Sequence, residues 1–117
     1  MITARETKQR MLDEPRWWKI ALMDFVDDFR YHQDSSAIAQ PFELGDEEKD
    51  AVLAGTIETL CDEMTIRIPE WLNSIPPCRE PLFLSRAETL KAFSLAESPV
   101  HFRLRKFFVM ENFLFRV

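Results

Sequence analysis

Apolar positions recur at steps of three and four along most of the chain. Trp18, Leu22, Phe25, Val26 and Phe29 form one such stripe and predict a helix from Pro15 to about Gln33. Pro15 suits the first helical position, with Asp13 or Glu14 as its cap. Leu53, Ile57, Leu60 and Met64 form a second stripe and predict a helix over 46–66. Asp46 can cap it, and Glu47 and Glu48 sit in its first turn, where their charge opposes the helix dipole. Thr3-Ala4-Arg5-Glu6 has capping-box spacing and predicts a short leading helix. Residues 34–45 lack periodicity and predict a connector with about one turn, the most flexible part of the chain.

The pattern changes beyond Arg67. Pro69 breaks the helix, and Pro76, Pro77 and Pro81 predict an extended crossing segment. Ser85-Arg86-Ala87-Glu88 predicts a new helix over 86–96, with Leu90, Ala92, Phe93 and Leu95 as its apolar side. Ser98-Pro99 predicts another helix through Arg105. The aromatic and β-branched run Phe107–Val117 allows two short strands about Glu111-Asn112. Five phenylalanines fall in the last sixteen positions. Such a composition buries too much apolar surface to remain a solvated tail. The expected fold is therefore mainly α: one helical domain over 1–117, a small bundle with an ordered, aromatic-rich C-terminal segment.

Composition narrows the chemistry. The two glycines, Gly45 and Gly55, cannot build a phosphate-cradling loop, which excludes P-loop and dinucleotide-binding motifs. Cys61 and Cys78 lack C-x-x-C spacing and read as reduced thiols. No apolar run reaches the roughly 18 residues that span a bilayer, and Met1–Glu6 carries no signal core. A soluble, cytoplasmic protein with no membrane contact is expected. The net charge of −5 is uneven: residues 13–63 carry fourteen acids against Arg16, Lys19, Arg30 and Lys49, whereas the last nineteen residues are basic. An acidic body with a basic end suits self-association or a basic partner better than general nucleic-acid binding.

Three constellations carry candidate chemistry. Asp24, Asp28, Glu58 and Asp62 sit at helical spacing on the two long helices, as in metal-dependent nucleotide hydrolases of all-helical type. Asp24-x-x-Asp27 and Glu47-x-x-Asp50 mimic that motif. Their phase places them away from the apolar stripes, so a solvated acidic surface is the preferred reading, with no metal or other cofactor. His101-Phe102-Arg103-Leu104-Arg105-Lys106 combines stacking and phosphate-binding side chains. Burial of Phe102 and Leu104, with the arginines paired or capping carbonyls, is preferred to a nucleic-acid site there. Trp17 and Trp18 stand about 100° apart on a helix and cannot share one core, so one of them meets the crossing segment or a partner.

Residues 51–117 resemble a pattern of small bacterial proteins often found near toxin–antitoxin or other mobile-element genes. The matching positions are Pro69, Trp71, Leu72, Pro81, Phe83, Pro99, Phe102, Arg103, Arg105, Phe108, Val109, Leu114 and Arg116. The resemblance implies no catalytic residue. The expected function is non-enzymatic: an interaction or regulatory protein, antitoxin-like, that binds a protein partner or itself as a homodimer. Trp17, Trp18, Trp71, Phe102, Arg103, Arg105 and Phe115 are its candidate contact residues.

Overall fold

In a computed structural model, which describes residues 1–85 and 87–115, the fold is mainly helical. The helices are α1 (Ala4–Asp13), α2 (Trp18–His32), α3 (Glu47–Met64), α4 (Glu88–Glu97) and α5 (Val100–Leu104). Leu82–Phe83 (β1) and Phe107–Phe108 (β2) form a two-stranded parallel sheet. The Cα radius of gyration is 13.3 Å, close to the roughly 13 Å of a compact chain this long.

Local sequence sets the helix starts. Thr3 Oγ1 accepts from the Glu6 N–H at 3.1 Å, and Asp46 accepts from the Lys49 N–H at 3.1 Å. Each satisfies a donor that has no partner inside its helix. Burial pushes the Asp46 pKa up, but the Lys49 hydrogen bonds outweigh it and hold the carboxyl below its ordinary value. Pro15–Trp17 forms a separate 3-10 turn, so the expected 15–33 helix begins at Trp18. Gln33 (φ 50°) and Thr65 (φ 55°) end α2 and α3 in left-handed conformation.

The core lies among α1, α2 and α3, with α5 laid against α3. Phe25 and Phe29 stack at 5.7 Å. Lys8 enters this core at 1% exposure on the same stripe as Ala4 and Met11. Its ammonium pairs with Asp50, donates to the Glu43 carbonyl at 2.6 Å and lies 5.1 Å from the Phe42 ring centroid. A buried charge needs this full set of partners.

The 34–45 connector is more firmly held than its sequence suggested. Trp71 Nε1 donates to the Ile38 carbonyl at 3.0 Å, Arg5 to that of Pro41 at 3.2 Å, and Lys8 to that of Glu43. The expected hairpin about Glu111-Asn112 is replaced by a different pairing. Lys106, at φ 59°, turns the chain after α5, and Phe107–Phe108 runs beside the extended segment that follows Pro81. Residues 111–114 form turns. α4 begins at Glu88 with Ala87 at its cap position, without a side-chain cap.

Candidate functional site

α5 and the turn after it hold the C-terminal third to α3. Phe102 is fully buried, and Gly55 makes the room. A Cβ on Gly55 would stand 2.9 Å from the Phe102 ring. Three residues on, Arg105 turns inward at 7% exposure. Its Nε donates to Glu58 at 2.6 Å, and its two terminal nitrogens donate to the carbonyls of Ile75 and Leu72 at 2.9 and 3.0 Å. One planar guanidinium thereby ties α3, the end of α5 and the 3-10 turn Glu70–Ser74 with Ile75 together.

His101 lies between two carboxylates. Its Nε2 is 2.5 Å from Asp62 Oδ2, and its Nδ1 is 4.0 Å from Glu58 Oε2. The acids stand on opposite nitrogens of the ring, so the three groups do not converge on one ion. A groove of about 190 Å³ beside them is lined by Asn73, Pro77 and Leu104 among others. Cys61 is buried, and burial, with Asp62 and Glu58 near, pushes its thiol up to about 11. Cys78 is also buried and free, and burial raises its thiol as well. Neither has the depressed pKa of a reactive cysteine.

The candidate metal acids separate into two pairs. Arg10 binds Asp24 at 2.7 Å, and the Ile2 N–H donates to Asp28 at 2.7 Å, which holds α1 to α2. Glu58 and Asp62 hold α5 to α3. Among the described residues no group of three or more His, Cys, Asp or Glu side chains is placed to hold a metal ion.

The candidate contact residues also separate. Phe102 and Arg105 are internal and leave the contact surface, since neither can reach a partner. Trp71 is half-buried, spends its N–H on Ile38 and meets the Phe42 ring edge-on at 5.4 Å. Trp18 is half-buried and lines a groove of about 300 Å³ with Leu82, Phe83 and Leu84, on the crossing segment. Trp17, Arg103 and Phe115 are exposed. Arg103 donates to the Ser98 carbonyl at 2.8 Å, and the Arg30 guanidinium lies 4.6 Å over the Phe115 ring. Leu104, expected inside, is exposed. Arg116, part of the tail pattern, lies outside the described residues.

The largest departure is α4. The side formed by Leu90, Ala92, Phe93 and Leu95 was expected to pack inward. Of its ten residues, only Ser94 is buried. Leu90 is 40% exposed, and Phe93 and Leu95 are each 50% exposed. Lys91 helps to seat the helix, with its ammonium 5.8 Å from the Phe83 ring. A signal was present in the sequence: Phe93 and Leu95 flank Ser94 on opposite sides of the helix, and one core cannot cover both.

No helix among the described residues is long and apolar enough to cross a membrane. Compared with known proteins, the chain matches no family model, no curated sequence and no solved structure.

Proposed function

We propose that this chain is a non-enzymatic interaction protein whose contact surface includes the exposed apolar side chains of α4. The observation that carries this reading is the exposure of Leu90, Phe93 and Leu95 on a helix that buries Ser94 alone. Contiguous exposed apolar patches mark interaction sites, and Leu90 and Phe93, at i and i+3, are neighbours on one side of α4. The aromatic and arginine surface narrows accordingly: Trp17, Arg103 and Phe115 remain available, while Phe102 and Arg105 brace the platform that carries α4. The resemblance of the tail to proteins near toxin–antitoxin genes supports an antitoxin-like regulatory setting. The test is photo-crosslinking in the native host with p-benzoylphenylalanine in place of Phe93, and in place of exposed Glu70 as control. A discrete protein adduct from position 93 alone is expected. Its absence rejects the reading.

A further inference from the structure

A second face lies along the crossing segment, and no residue of α4 lines it. The groove of about 300 Å³ has an apolar floor of Trp18, Val52, Leu82 and Phe107, with Glu48 and Lys49 beside it. A further groove of about 420 Å³ is lined by Glu47, Glu48, Arg79 and Glu80. Glu48 and Leu82 line both, so the two grooves adjoin. Arg79 lies 3.7 Å from Glu47, and Lys49 is spent on Asp46 at 3.1 Å. Glu48 and Glu80 are exposed and form no ion pair among the described residues. The same acids act on Cys78: burial raises its thiol first, and Glu47 and Glu48 raise it further.

β1 also has an unused edge beside these grooves. Leu82 and Leu84 donate to the carbonyls of Lys106 and Phe108 at 2.8 and 3.1 Å. In a parallel ladder the residue between them turns its N–H and C=O the other way. Phe83 therefore presents both groups away from β2, where no further strand pairs among the described residues. Its ring is held elsewhere, stacked on Phe108 at 5.1 Å.

We infer that this edge and its two grooves take an extended, basic segment of a partner protein, which adds to β1 as a third strand. An extended backbone supplies the acceptor and donor that Phe83 lacks. Alternate side chains of such a segment point the same way. One apolar side chain then fills the groove over Trp18 and Val52, and a Lys or Arg further along meets Glu48 and Glu80. The acids select a cationic segment and reject an acidic one. The described part of this chain's own basic end does not fit, because Arg103 is fixed in α5 and Arg105 is buried. One strand residue and one apolar groove make a small contact, so the complex is weak and transient.

The test pans a library of displayed short peptides on the full chain, then measures the enriched peptide by fluorescence anisotropy. Peptides that alternate apolar residues with Lys or Arg are expected. Glu48→Lys combined with Glu80→Lys should weaken binding by at least about tenfold, and added salt should weaken it for the parent chain. Both side chains are exposed, so the fold is retained, which circular dichroism checks. The edge is read without altering the protein. N-methylation of the one peptide amide that faces the Phe83 carbonyl should abolish binding, while N-methylation of the next amide should not. Three results overturn the inference: no enriched peptide, an enriched acidic peptide, or a basic peptide indifferent to the double substitution or to N-methylation at every position. The crosslink at position 93 reads α4 alone, so the two surfaces fail separately.

Discussion

α3 and α4 both carry apolar residues at helical spacing, yet they end in opposite surroundings. α3 buries ten residues, from Asp50 through Ala51–Ile57 to Leu60 and Cys61, because α1, α2 and α5 close around it. α4 buries Ser94 alone and touches the body mainly near β2. Mean apolar content does not distinguish them. What differs is the number of elements that the chain can bring to each helix. Several neighbours (α1, α2, α5 and β2) turn an apolar helix into a core, whereas contact mainly with β2 leaves most side chains of α4 facing outward.

That contrast fails first if the bracing of α5 on α3 is weak. Arg105→Ala would leave half-buried Glu58 without its closest cation and remove the guanidinium donors to the Leu72 and Ile75 carbonyls, of which Leu72 keeps the Ile75 N–H. A loss of about 3–5 kcal/mol is expected in urea unfolding, against less than about 0.5 kcal/mol for Arg103→Ala. Gly55→Ala gains about 1 kcal/mol of helix propensity, but its Cβ meets a fully enclosed Phe102 ring. A net loss of about 1–3 kcal/mol is expected in the same assay.

Smaller effects sharpen the picture at the ends of α3. Thr65 is β-branched at positive φ, and Thr65→Gly should stabilise the chain by about 1 kcal/mol, read as a higher urea midpoint. Asp46→Ala removes the N-cap at a cost of about 1 kcal/mol near pH 7. The Asp46 carboxyl is depressed in the folded state. Its contribution is therefore present above the unfolded carboxyl pKa of about 4 and lost as pH falls through the lower folded value. The difference between Asp46→Ala and the parent should shrink in unfolding curves taken below pH 4.

Much of the first half was legible in the sequence. The stripes of α2 and α3, the Thr3 and Asp46 caps and the break at Pro69 depend on neighbours within a turn or two. The rest depends on distant partners. Ala4, Lys8 and Met11 share a stripe, which signals a cation at a core position, but Asp50 lies 42 residues away. Arg103 and Arg105 look alike in the sequence. Which one turns inward depends on Phe102 meeting the gap at Gly55. β1 and β2 are two residues each, too short for alternation to show, and their parallel pairing joins segments on either side of two helices. α4 misled because its residues have helical spacing on more than one side, and spacing alone does not say how many sides a fold can cover.

The most direct measurement is the unfolding free energy of Phe93→Glu beside that of the parent chain, in urea and at a concentration low enough to keep both monomeric, so that association contributes nothing to stability. The two should agree within about 0.5 kcal/mol, as expected for a side chain that faces outward. A deficit above about 2 kcal/mol would mean that Phe93 belongs to the core, and the distinction between α3 and α4 would not stand.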